Sequence, residues 1–104
     1  MKKKTALIAG LATLSLCAGA AYAADIEAGR TKSASCMGCH GADGNSPSPL
    51  NPSLAGQKEQ YLVTTMLDYK NGKRQHSVMQ AMLTPLSEDD IRDVAAFYAA
   101  QKCP

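Results

Sequence analysis

Residues 36–40 read CMGCH: two cysteines three positions apart, with a histidine directly after the second. That pentapeptide constrains the fold more than any local propensity does. It gathers two thiols and an imidazole within about one helical turn, so whatever they bind must sit against this segment. A zinc site needs four ligands, usually as two paired sets. Beyond this segment of the exported chain only His76 and Cys103 could contribute, and they have no pair spacing. A thioredoxin-type redox pair belongs at a helix start after a strand, and no βαβ pattern is present. A plain disulfide would leave the histidine unexplained.

The N-terminus decides how much chain is left to fold. Lys2, Lys3 and Lys4 precede an uncharged run from Thr5 to Leu16, then small residues ending in AYA at Ala21–Ala23, and the first acid is Asp25. Basic start, short apolar core and A-x-A site are the order of a secretory signal peptide cleaved after Ala23. LSLC at Leu14–Cys17 partly resembles a lipoprotein box, but Leu16 stands where a small residue belongs, which disfavours lipid anchoring at Cys17. Removing residues 1–23 from the 104 leaves an 81-residue domain, 24–104. Three of eleven Lys and Arg leave with the leader, so eight basic residues face nine acidic ones and the net charge becomes −1. That excludes the strongly basic surface of a nucleic-acid binder.

A domain this small gains only about 3–5 kcal/mol from a purely apolar core. Its aromatics are Tyr61, Tyr69, Phe97 and Tyr98, and its cysteines are Cys36, Cys39 and Cys103, an odd number that cannot form a disulfide framework. A large apolar cofactor would fill the centre instead.

The pattern is all-α, with three to four helices and long loops. Residues 24–35 predict a short helix capped by Asp25, with Ile26, Gly29 and Ser33 on one stripe. Residues 41–56 are an ordered loop rich in Gly, Asn, Ser and Pro. Residues 58–71 predict a second helix with Tyr61, Leu62, Thr65, Met66 and Tyr69 on one face and Gly72 as its stop. Residues 73–85 show no clean period and read as a crossing loop. The last helix starts at a capping box of Ser87 and Asp90 and buries Ile91, Val94, Ala95 and Tyr98, with Phe97 on the flank.

C-x-x-C-H is the signature of covalent haem attachment. Two thiols reach the two vinyl groups on one edge of the macrocycle, and the next residue turns its imidazole under the iron. Cys36 and Cys39 then form thioethers and His40 is an axial ligand, giving one haem c per chain. Export fits, because such attachment in bacteria takes place outside the cytoplasm.

Gly29 seven before the first cysteine, CMGCHGADGNS, NPSLAGQKEQYL, MQAMLTPLSEDDI and DVAAFY occur in an order that resembles the bacterial class I cytochromes c, nearest the small c553 and c4 types. The resemblance covers nearly all of 24–104. It implies that the Pro52 carbonyl accepts the His40 imidazole N–H, and that Gly29 and Phe97 mark the crossing of the terminal helices. The short loop between Gly72 and Pro85, and Cys103, depart from the pattern.

His76, Met79 and Met82 remain candidates for the other axial position; family register, counted back from PLSEDD, selects Met79. A thioether ligand favours ferrous iron. The resemblance implies a periplasmic one-electron carrier, with a membrane complex, oxidase or reductase as partners and no small-molecule substrate. With both axial positions filled the chain is not expected to be an enzyme, and Asp43 beside the motif suits turn chemistry. The alternative is a haem subunit of a larger dehydrogenase, such as a flavin-dependent sulfur oxidoreductase. Lys70, Lys73 and Arg74 against Glu88, Asp89, Asp90 and Asp93 read either as solvated faces or as a docking asymmetry. Cys103 is expected to be an exposed thiol able to form a disulfide-linked partner.

Overall fold

The computed structural model describes residues 1–14 and 22–104; the Cys17 position lies outside the described residues. Residues 1–14 carry no regular secondary structure, and Leu7, Ile8, Leu11 and Leu14 are exposed. The order thereafter is α1 (Ile26–Lys32), a 3-10 turn (Ser33–Cys36), α2 (Met37–His40), α3 (Glu59–Lys70), α4 (Ser77–Leu83) and α5 (Glu88–Ala99). No strand occurs among the described residues, as the all-α pattern predicted. None of their helices is long and apolar enough to cross a membrane.

Local chemistry sets the ends of these helices. Asp25 caps α1 by accepting from the Ala28 amide at 3.1 Å. Ser33 closes it, its hydroxyl donating to the Arg30 carbonyl at 2.8 Å as the chain tightens into the 3-10 turn. At α5 the Ser87 hydroxyl accepts from the Asp90 amide at 3.1 Å, and the Asp90 carboxylate accepts from the Ser87 amide at 3.0 Å. The shorter aspartate therefore closes the capping box as glutamate would.

The predicted loop at 73–85 contains α4, which corrects the sequence reading. Its cap is His76, whose Nδ1 accepts from the Met79 amide at 3.3 Å, and histidine is not among the usual capping residues. Its other end is held from α3: the Lys70 ammonium donates to the carbonyls of Leu83 at 3.3 Å and Thr84 at 2.9 Å. A cation at the negative end of a helix is favourable, and here it arrives from a different helix, which no local pattern announces.

The core lies where α5 is covered by α1 on one side and α3 on the other. Leu62 and Val63 of α3 pack with Val94, Ala95, Phe97 and Tyr98 of α5. Gly29 sets the approach of α1: a Cβ there would run into the Asp93 carbonyl and lie 3.0 Å from Phe97 Cβ. The expected stripe on α1 is partly wrong, because Gly29 and Ser33 are buried but Ile26 is exposed. Ile26 sits instead at the lip of a shallow depression over Ala96 and Ala99.

Asp93 was read as part of an acidic surface, yet only 2% of it is exposed. One oxygen accepts from the Tyr22 hydroxyl at 2.7 Å and the Asp25 amide at 2.9 Å, and the other from the Lys32 ammonium at 2.9 Å. Lys32 also pairs with Asp90 at 2.6 Å. Burial works against the charge on Asp93, but these donors outweigh it and hold the carboxyl below the usual carboxylate range. Asp90 is depressed too, chiefly by Lys32.

Two outcomes follow from this frame. Gly29→Ala should destabilise the domain by about 3 kcal/mol or more, since backbone must move to admit the methyl, and thermal melts will measure it. The depressed Asp90 and Asp93 contribute stability above their unfolded values of about 3.9, and that contribution is lost as pH falls through their lower folded values. Asp93→Asn should therefore melt well below wild type at pH 7, with the gap shrinking as both are taken below about pH 4.

Candidate functional site

The α3 face named by the sequence forms one wall of a cavity of about 590 Å³, through Tyr61, Leu62, Thr65, Met66 and Tyr69. The 3-10 turn and α2 bring Cys36, Cys39 and His40 to the same cavity. The following loop adds Leu50, Pro52 and Leu54; α4 adds Val78, Met79 and Met82; α5 adds Val94 and Tyr98. All five site residues singled out from the sequence (Cys36, Cys39, His40, Pro52 and Met79) thus line one cavity. So do the other axial candidates, His76 and Met82. Met66, read as core, packs against the buried cluster and also reaches this wall.

His40 is buried, and its Nδ1 lies 2.8 Å from the Pro52 carbonyl oxygen. A carbonyl can only accept, so Nδ1 carries a proton, and the neutral ring that makes this bond has its lone pair on Nε2. That tautomer is the one a metal-binding imidazole requires. Burial pushes the Cys36 thiol up, partly offset by the Ser35 hydroxyl, so it lacks the lowered pKa of a reactive redox thiolate. Cys36 and Cys39 are both free thiols. Among the described residues no group of three or more His, Cys, Asp or Glu is placed to hold a metal ion. The donor set fits haem c: two thiols on one wall, an imidazole oriented through Nδ1 by the Pro52 carbonyl, apolar surfaces and a thioether from α4.

Other titratable groups near the motif are structural. Asp43 accepts from the Asn45 backbone at 3.0 Å and its side-chain amide at 2.9 Å, which lowers its pKa and builds the turn. The basic and acidic clusters are also largely absorbed by the fold. Lys70 serves the end of α4, and Arg74 lies 4.8 Å over the Tyr69 ring. Asp90 and Asp93 belong to the Lys32 network. Exposed Glu88, Asp89 and Lys73 are what is left of the proposed docking asymmetry.

Sequence reasoning missed two wall features. Arg74, Tyr69 and His76 stack in series, the last two rings meeting edge to face at 6.2 Å. Tyr98, read simply as core, also presents a hydroxyl in this region; a phenol on an otherwise aliphatic stripe was the available signal.

The cytochrome c family profile matches residues 26–100. Cytochrome c4 of Pseudomonas aeruginosa is 51% identical over 96 residues, covering 92% of this chain and 48% of that protein. Cytochrome c-554(548) of Halomonas halodenitrificans is 39% identical over 83 residues, covering 77% of this chain and 100% of that protein. The crystal structure of reduced recombinant cytochrome c4 from Pseudomonas stutzeri superposes with a TM-score of 0.73 at 46% identity, over 77% of this chain and 47% of that one. The chain spans about half the length of the cytochrome c4 relatives it matches. Fold, cavity and sequence agree: the chain belongs to the cytochrome c family, as a class I, cytochrome c4-like member.

Proposed function

We propose that this chain is a periplasmic monohaem cytochrome that carries single electrons between redox proteins, residues 1–23 being its cleaved leader and 24–104 its haem domain. The observation that carries this reading is the single cavity lined by Cys36, Cys39, His40, Pro52 and Met79. The family's cofactor is haem c, and the cysteines and histidine of CMGCH fit its attachment motif. When bound, haem c supplies a one-electron couple without proton or group transfer.

The protein's part is to hold, orient and enclose. Cys36 and Cys39 would hold the haem through thioethers. His40, oriented by the Pro52 carbonyl, would offer Nε2 to the iron. Met79 would offer its thioether sulfur. It is half-buried on α4, whereas Met82 is exposed and His76 already uses Nδ1 to cap that helix. With His40 and Met79 both bound the iron would have no open position for substrate, which supports a carrier rather than an enzyme.

Exposed leader leucines that pack on nothing support the export reading, which also removes Tyr22 from the Asp93 cluster. Leu50, Tyr61, Val78 and Met82 are exposed and line the cavity, a small apolar rim suited to brief docking with a redox partner. The exposed Cys103 thiol leaves room for a disulfide to a second protein. It would first have to break its hydrogen bond to the Ala55 carbonyl, at 2.9 Å.

The test is export from a host with haem-attachment machinery. Purified protein should carry one covalent haem and show the weak near-infrared band of methionine-ligated ferric haem. Met79→Ala should abolish that band and lower the midpoint potential while Met82→Ala retains both. Loss of the band in Met82→Ala alone would reassign the ligand, and co-purification in fixed ratio with a flavoprotein would replace the free carrier by a dehydrogenase subunit.

A further inference from the structure

Tyr98 carries a polar group that neither the fold nor the ligand set accounts for. Its residue is 1% exposed, and its hydroxyl is a buried polar atom with no hydrogen-bond partner. The ring is held on several sides. It packs at 5.1 Å against Phe97 and within the cluster of Leu62, Val63 and Val94. It also abuts Gly44, where an added Cβ would come within 2.7 Å of Tyr98 Cδ1. Such a wedged ring cannot swing its oxygen out to water. Leaving a buried hydroxyl unpaired costs about 1–3 kcal/mol, so its retention on a stripe that phenylalanine would suit calls for a partner.

The polar neighbours are few. Cys36 packs against the buried cluster that includes Tyr98 and lines the same cavity; it and Ser33 are the side chains that bear on the phenol's proton, with no hydrogen bond formed to either. Ser33 already donates to the Arg30 carbonyl at 2.8 Å. Ser35 is 4.0 Å from the Cys36 sulfur but is exposed, so water can serve it. Burial pushes the phenol up to about 12, so its O–H stays protonated across the working range.

Resting on the haem-attachment reading, we propose that the Tyr98 hydroxyl donates to the Cys36 sulfur once that sulfur is a thioether. Tyr98 is then a positioning residue that raises the potential of the bound haem. The direction of the bond is fixed by chemistry. A thiol can donate or accept, whereas a thioether can only accept, so attachment leaves the phenol as the donor. An O–H dipole with its positive end toward the macrocycle disfavours the more positive oxidised state, and low local dielectric strengthens the effect.

The test uses exported, haem-loaded protein. Tyr98→Phe preserves ring and volume, so covalent haem content should match wild type while the midpoint potential falls. The thioether C–S band in resonance Raman spectra should shift between H₂O and D₂O in wild type and lose that sensitivity in Tyr98→Phe. Ser33→Ala should keep the wild-type potential. An unchanged potential in fully loaded Tyr98→Phe overturns the inference, whatever happens to the melting temperature. So does a Ser33→Ala variant that reproduces the whole shift, since the hydroxyl then belongs to Ser33. Should Tyr98→Phe not accumulate, the isotope response of wild type decides, and an insensitive band overturns it. Wild type without covalent haem would instead defeat the functional reading on which this one stands.

Discussion

The covalent anchorage offered by Cys36 and Cys39 is the constraint on which the rest of the structure depends. The chain supplies walls for a large apolar group and little core of its own. Its buried cluster is six side chains from α3 and α5, with Phe97 and Tyr98 the aromatics among them. A domain near 80 residues is marginal on apolar burial alone, so a group tied in by two bonds completes a core that the chain does not encode. The same burial sets the chemistry: His40 is enclosed and pinned by Pro52, and the Cys36 thiol is pushed up in pKa.

Around that cavity the frame is built by contacts that do not touch it. Gly29 lets α1 lie against the α5 backbone, and the Lys32–Asp90–Asp93 network clamps the crossing from one side. Asp93 is expensive to bury, and within residues 24–104 its retention follows from the Asp25 amide and the Lys32 ammonium that meet it. α3 then closes the other face of α5 and turns its remaining stripe toward the cavity. Lys70 reaches across to end α4, so the helix carrying Met79 is positioned by the helix opposite as well as by its own cap. Fold and site are thereby coupled: moving α3 moves the segment offered as an axial ligand.

Much of this was legible where local chemistry is self-contained. The capping box announced α5, the Asp25 cap announced α1, and the apolar stripe of α3 announced a wall, although not that the wall faces a cavity. The five candidate site residues were named from a motif and a family register, and the fold gathers them on one cavity. What the sequence hid depends on partners distant in the chain. α4 was read as loop because its ends are held by a histidine and by a lysine from another helix. Asp93 was read as surface because its donors lie 61 and more residues away. Tyr98 was read as plain core because burial of a ring says nothing about where its hydroxyl can find a partner.

The most direct test is the fold of the chain when attachment is prevented. A Cys36→Ala, Cys39→Ala double variant, exported and purified, should show by circular dichroism a broad, non-cooperative loss of helix, because ordering each backbone residue costs about 1–2 kcal/mol and the protein-only core is too small to offset it. A sharp, cooperative melt with native-like helix content and no haem would contradict the claim that the haem is part of the core.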